Sequence, residues 1–202
     1  MLFRSNQGKS TYSLDDSNAD HYAKSIVPRD GGYRFDVVLQ GKVVPDVQLA
    51  VGGVHNVENT VAAMAVANFM EVPVDKIKAA VAAFQGVRRR FEYIIPPGTD
   101  TEGLVMIDDY AHHPEELSSL IRSGRGLFPS KICTIVFQPH LFSRTRDLAA
   151  AFGEALDLAD EVILLPIYPA REQPLPGVTS ELLMQHMKSK NKRLLDKQQL
   201  LD

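Results

Sequence analysis

Apolar and polar positions change their period along the chain, and each change predicts an element. From Tyr33 to Leu39 and from Val43 to Val51 the residues read as two β segments, with Gln40, Gly41 and Lys42 between them, so a hairpin is predicted. Gly52 and Gly53 end that region. From Val54 the period lengthens: Val57, Val61, Met64 and Ala65 recur at helical spacing, and alanines at 62, 63, 65 and 67 leave room for a close neighbour. A second helix is predicted from Pro73, with Ile77, Ala80, Val81 and Phe84 on one face and Gly86 as its stop. A strand is expected over Phe91 to Ile95. After a proline-bearing loop from Pro96 to Glu102, a buried strand is expected over Leu104, Val105, Met106 and Ile107, where apolar residues follow one another without helical spacing. Pro114 suits the first turn of a helix carrying Leu117, Leu120 and Ile121, and holds His113 extended just outside it. Beyond lie a strand over Ile132 to Phe137, a helix carrying Leu148, Phe152 and Leu156, a strand over Val162 to Leu165 and a last helix from Ser180 to Lys188. Strands alternating with helices predict an α/β fold with a mainly parallel sheet. Residues 1 to 30 are mixed and polar and yield no element.

Composition narrows the function classes. With 45% hydrophobic residues among 202, the chain can bury one or two ordinary cores. A net charge of −3 leaves no basic footprint for nucleic acid, and no apolar run approaches the roughly 20 residues that span a bilayer. Met1 to Ser10 carries Arg4 and Lys9 but no apolar segment after them, so no secretory signal is read there. The lone Cys133 excludes a disulfide within the chain, reads as core packing and points to a reducing cytoplasm. Gly8, Lys9 and Ser10 imitate the end of a phosphate loop, but G-x-x-x-x-G-K-[ST] requires a glycine where Phe3 stands, and the match is rejected.

Candidate chemistry gathers at predicted strand ends. Asp108, Asp109, Tyr110, His112 and His113 crowd the end of the strand before Pro114, the edge at which open α/β sheets bind ligands. Taken alone, such groups also serve as turn caps and surface polar residues. Two further loops fall on the same edge: Gln138 to Arg146, which holds His140, Leu141, Ser143 and Arg144, and the loop with Tyr168, Ala170, Arg171 and Glu172. His55, Asn56 and Asn59 lie at the entry of the first helix. Asn56 reads either as an N-cap or as an amide that donates and accepts at once and so suits the edge of a nucleotide base. Arg88, Arg89 and Arg90 read either as a solvated charge run or as a phosphate clamp where two domains join.

These motifs in this order resemble the Mur ligase family: Gly53, His55, Asn56 and Asn59 before an alanine-rich helix, then Arg89-Arg90-Phe91, then Asp108-Asp109-Tyr110 with His112-His113-Pro114, then Gln138-Pro139-His140 with Ser143-Arg144-Thr145. The resemblance covers about Tyr12 to Gly177. It implies the end of a central ATPase domain over residues 1–86, joined to a Rossmann-like amino-acid-binding domain over 87–202. It also implies that the UDP-sugar domain, the phosphate loop and most magnesium ligands lie outside this chain, so that the chain alone does not turn over ATP. The implied reaction uses ATP and Mg2+ to activate the carboxylate of UDP-N-acetylmuramate as an acyl phosphate, which the amine of L-alanine attacks. By motif, His55, Asn56 and Asn59 would contact adenine, and Arg90 and Asp109 would contact ATP across the domain junction. Tyr110, His112, His140 and Arg144 would line the amino-acid site, with Arg144 on the carboxylate and no metal ligand among these residues. Two positions depart from the family's pattern: Leu141 stands where many relatives have arginine, and Arg171 where they often have glycine. The alternatives are a relative that joins a whole peptide to UDP-N-acetylmuramate, a metal-dependent hydrolase built on Asp109, His112 and His113, and a non-catalytic nucleotide-binding module. Against the hydrolase, adjacent histidines point apart and the spacing matches no common zinc pattern.

Overall fold

The computed structural model describes residues 3–5 and 8–201, and the chain divides into two compact units, Met1–Asp109 and Tyr110–Asp202. Part of the N-terminal stretch read for a secretory signal therefore lies outside the described residues. The division falls after Asp109, whereas the sequence places a domain boundary at Gly86; the stretch between them carries a hairpin tied to the first unit by the Tyr93 hydroxyl, which donates to the Gly31 carbonyl.

In the first unit β1 (Phe3–Ser5) and β2 (Gly8–Ser10) pair antiparallel, which puts Gly8-Lys9-Ser10 in a strand rather than in a loop that opens a helix. Strands β3 (Tyr12–Ser13), β4 (His21–Arg29), β5 (Gly32–Leu39) and β6 (Lys42–Leu49) form a sheet in that order, parallel between β3 and β4 and antiparallel elsewhere. The predicted hairpin joins β5 to β6 through Gln40 and Gly41, whose φ of 48° and 79° give the left-handed pair that a twisted two-residue connection requires. β4 is an element the sequence pattern missed. Ser25 sits at φ 55° beside a register shift between Lys24 and Val27, and that bulge destroys the alternation by which a strand is read.

Helix α1 (Val54–Phe69) buries Val57, Val61 and Met64 as expected, with Ala65 half-buried, and packs on β3, β4 and β5. Helix α2 (Val74–Ala83) lies along β6, but its predicted face shrinks to one anchor: Ile77 is buried and Val81 half-buried, while Ala80 and Phe84 are exposed. The expected strand before the acidic pair also differs. β8 spans Met106–Asp108 and pairs antiparallel with β7 (Glu92–Ile95) in a two-stranded ribbon, and Leu104 and Met106 are more than half exposed. With one neighbouring strand among the described residues and two of its apolar side chains exposed, the apolar run is not the buried strand that its composition suggested.

The second unit is the parallel α/β half. Its strands β9 (Thr134–Phe137), β10 (Glu161–Leu164) and β11 (Lys192–Leu194) are all parallel in the order β11-β10-β9. Helix α3 (Pro114–Leu127) starts at Pro114 with His113 extended at φ −122°, as predicted, and buries Leu117 and Ile121. These meet Phe137, Phe152, Leu156, Val162, Leu164 and Leu183 in one core. The segment Phe142–Asp147, read as loop, forms the short helix α4, which runs into α5 (Ala149–Leu156). Helix α6 (Ser180–His186) ends two residues before the predicted Lys188, and β11 and α7 (Lys197–Leu201) follow it unannounced by any apolar period. Gly153 lets α5 and α6 touch, since a Cβ there would fall 2.8 Å from the His186 backbone. At the sheet's N-terminal edge Asp160 accepts the Cys133 N–H at 2.9 Å and pairs with Arg125 at 2.7 Å. Nearby, Asp157 accepts the N–H groups of Lys188 and Ser189 at 2.8 and 2.9 Å. Cys133 is half-buried against the core, and burial pushes its thiol pKa up, in keeping with packing rather than reactivity. Among the described residues no helix is long and apolar enough to cross a membrane.

Candidate functional site

The sequence-predicted site residues form two clusters, one in each unit. In the first, Gly53 takes φ 85° and occupies the cap of α1, so Asn56 is not the N-cap. Its amide instead donates from Nδ2 to the Gly52 carbonyl at 2.7 Å, and its Oδ1 lies 3.5 Å from Asn59 Nδ2. Asn56 is half-buried and Asn59 exposed. His55 is half-buried, and burial lowers its pKa; Asp109 opposes that shift and Arg90 reinforces it, so the three groups lie within electrostatic reach of one another. Asp109 is tied down from beneath, since its Oδ2 accepts the Phe91 N–H at 2.8 Å. Phe91 is fully buried at φ 49°, and its ring fills the space that a side chain on Gly52 would need, 2.1 Å from an ideal Cβ there. A left-handed phenylalanine stores strain of about 1–3 kcal/mol. The glycine pair, the aromatic plug and the carboxylate thus hold each other, and they present His55, Asn56, Arg90 and Asp109 as one group. Arg89 pairs with Asp108 at 3.7 Å.

The second cluster lies at the C-terminal edge of the parallel sheet. His112 Nδ1 is 2.9 Å from the Tyr110 carbonyl and 3.3 Å from the Glu116 carboxylate, and its ring lies 5.2 Å from that of Tyr110. Glu116 also accepts the N–H groups of His112 and His113, which fixes the turn into α3. From the next loop His140 stacks on Tyr168 with centroids 5.6 Å apart. Burial lowers the His140 pKa, Arg144 and His112 lower it further, and Glu172 opposes them, so His140, Arg144, His112 and Glu172 share one field. Arg144 stands on α4, and its Nη1 is buried without a hydrogen-bond partner. Buried donors are paired almost without exception, so this guanidinium nitrogen is open to an acceptor from outside the chain. Leu141 caps α4 at φ 74°, held by its N–H to the Tyr168 carbonyl at 3.0 Å and by Thr145 Oγ1 on its own carbonyl at 2.7 Å. Arg171 is exposed. Among the described residues no three His, Cys, Asp or Glu side chains converge as a metal-ligand set.

Residues 89–202, more than half of the chain, match the family model described as Mur ligase, glutamate ligase domain. The chain belongs to the Mur ligase family. It is 48% identical over 192 residues to a UDP-N-acetylmuramate–L-alanine ligase of Porphyromonas gingivalis, covering 95% of this chain and 41% of that protein. It is 44% identical over 183 residues to the same ligase of Cytophaga hutchinsonii, covering 91% and 38%. The solved UDP-N-acetylmuramate–alanine ligase of Thermotoga maritima superimposes with a TM-score of 0.76 at 25% identity, over 93% of this chain and 39% of that one. A Mycobacterium tuberculosis folylpolyglutamate synthase complexed with ADP shares the fold at a TM-score of 0.68 and 18% identity, over 93% and 40%. The chain therefore spans about two fifths of the length of the curated relatives it matches. Within this Mur ligase chain, sequence reasoning gave no role to Gly52, Ser143, Tyr168 or Glu172. Gly52 and Ser143 carry no chemical signature by themselves, and the loop of Tyr168 and Glu172 declares its part only through its bonds to α4.

Proposed function

We propose that the chain is the part of an ATP-dependent UDP-N-acetylmuramate:L-alanine ligase of peptidoglycan synthesis that completes its ATP site and holds its amino acid. In this reading residues 1–86 belong to a central ATP-binding domain, residues 87–202 form the amino-acid domain, and the enzyme works in the cytoplasm, as its soluble substrates require. The observation that carries it is the buried, unpartnered Nη1 of Arg144 beside His140 and His112. A guanidinium fork reads a carboxylate through two parallel bonds, and an amino acid offers one. His140, whose pKa burial and the Arg144 charge lower, can accept a hydrogen bond from the amino group at the other end of the same ligand. Tyr110 and His112 close the remaining side, while His55, Asn56 and Asn59 serve the adenine and Arg90 and Asp109 the ATP.

Such a pair of sites suits amide formation. A carboxylate is a poor electrophile, so ATP first phosphorylates the lactyl carboxylate of UDP-N-acetylmuramate and releases ADP. The alanine nitrogen then attacks the acyl carbon, the bond to phosphate breaks, and inorganic phosphate and a proton leave. Holding the amino acid by its carboxylate aims its nitrogen and contributes the proximity on which the second step depends.

Phosphate release by the intact ligase, with ATP, UDP-N-acetylmuramate and single amino acids as substrates, tests the assignment. Release that needs both the sugar nucleotide and L-alanine is expected. A preference for a peptide over alanine would overturn it in favour of the peptide-joining relative, and release indifferent to both acceptors would overturn it altogether.

A further inference from the structure

Two loops leave the C-terminal edge of the parallel sheet side by side and are joined for several residues. Gln138 Nε2 donates to the Pro166 carbonyl at 3.0 Å, the Tyr168 N–H to the Pro139 carbonyl at 2.8 Å and the Leu141 N–H to the Tyr168 carbonyl at 3.0 Å. Beyond this ladder Glu172 reaches the first turn of α4. Its Oε2 accepts the Ser143 N–H at 2.9 Å, and its Oε1 accepts the Ser143 hydroxyl. Ser143, the sequence neighbour of Arg144, engages both carboxylate oxygens, and the Phe142 backbone adds a weaker bond. The two Ser143 bonds are the main reason that the Glu172 carboxyl is held below its ordinary pKa range, with Arg144 a smaller contributor. Glu172 thus lies within the field of Arg144 while its bonds go to the first turn of α4, at Ser143 and the Phe142 backbone. A carboxylate bonded to the guanidinium itself would occupy the nitrogens a ligand needs. With no carboxylate there, α4, only six residues long, would lose the side-chain tie from the neighbouring loop that holds its first turn, and keep the Thr145 and Leu141 bonds and its packing on α5 and α6.

We infer that Glu172 is a positioning residue of the amino-acid site: by gripping Ser143 through both oxygens it sets the first turn of α4 and aims the open Nη1 of Arg144 at the substrate carboxylate without consuming it. The inference rests on the reading of Arg144 as the carboxylate's partner. Tyr168 supports the same arrangement by stacking on His140 from the loop that carries Glu172.

Glu172→Ala and Glu172→Gln separate the grip from the charge. In the intact ligase Glu172→Ala is expected to raise the KM for alanine by about 10-fold to 100-fold, with the KM for ATP within about 2-fold of the parent. In the 202-residue chain the same variant should lose hydrogen-exchange protection at the Ser143 amide. Glu172→Gln keeps an acceptor for that N–H and a partner for the hydroxyl, so it should bring the alanine KM back to within about 5-fold of the parent. It also removes the negative charge that opposes the depression of His140, so by NMR His140 should titrate lower still. Unchanged Ser143 protection in Glu172→Ala, or a fall in melting temperature with alanine KM intact, would overturn the inference. Should the parent ligase not use alanine at all, the proposed function fails, and Ser143 protection and the His140 titration still decide whether Glu172 holds α4.

Discussion

Arg144→Ala is expected to change binding and folding in different measure, because the guanidinium nitrogen it removes is buried and unpartnered. An unsatisfied buried donor costs a fold about 1–3 kcal/mol, and more when charged, so its removal relieves the folded state by that order. Against this stands the packing of a half-buried aliphatic stem, about 0.8 kcal/mol for each methylene withdrawn from water. The two terms offset, and unfolding free energy should stay within about 1 kcal/mol of the parent. Ligand binding has no such compensation. A charge-assisted bidentate pair in a closed site contributes about 2–4 kcal/mol, so kcat/KM for alanine should fall by about 30-fold to 1000-fold with ATP and UDP-sugar saturation nearly unchanged. Arg144→Lys should recover only part of the loss, since a point charge cannot form two parallel bonds. Urea unfolding and steady-state kinetics on one preparation measure both. Destabilisation beyond about 2 kcal/mol with alanine kinetics intact would refute the argument and make Arg144 a structural cap.

Gly52→Ala should destabilise the chain by about 1–3 kcal/mol, because its Cβ would fall 2.1 Å from the buried Phe91 ring. A smaller ring-free side chain relieves the clash, so in urea unfolding the Gly52→Ala, Phe91→Leu pair should cost less than the sum of its parts, and strict additivity would count against that contact. His21 is 5% exposed with a buried, unpartnered Nδ1, and burial depresses its pKa below the ordinary 6.5. The fold therefore prefers the neutral ring: this contribution is fully present above pH 6.5 and is lost as pH falls toward the depressed value, at no more than about 1.4 kcal/mol per pH unit. His55 adds in the same direction, and a urea midpoint that does not fall between pH 7 and pH 5 would contradict both. If Arg171 replaces the guanidinium absent at Leu141, the effects of Leu141→Arg and Arg171→Gly on alanine KM should be coupled; independence of the two would remove the idea.

What could be read in the sequence follows from where the signal is local. Pro114 after His113, the apolar face of Leu117 and Ile121, and the glycine turn at Gly41 each act within a few residues, and each element forms as expected. The candidate site was read from residues whose side chains name their chemistry, His55, Asp109, His140 and Arg144, and the structure gathers them in two groups. The site was not legible where a neutral residue works through distant backbone. Ser143 matters because Glu172, 29 residues on, accepts its N–H, and Gly52 matters because Phe91 lies over it. β4 was hidden by its bulge, and the stretch before Asp108 looked buried because apolar composition says nothing of how many strands will stand beside it.

The tethers at the opposite rim of the parallel sheet bear on how such a domain can diverge. Asp157 and Asp160 fasten the ends of α6, β9 and α3 through backbone N–H groups and one arginine, well away from Arg144 in the order of each strand. Strand termini at this rim are thus held by carboxylates on backbone N–H groups, while the other rim is held by bonds between loops, such as Glu172 on Ser143. If the proposed site holds, a lineage could exchange one acceptor for another by altering Leu141, Arg171 or their neighbours while the ties at Asp157 and Asp160 are inherited unaltered.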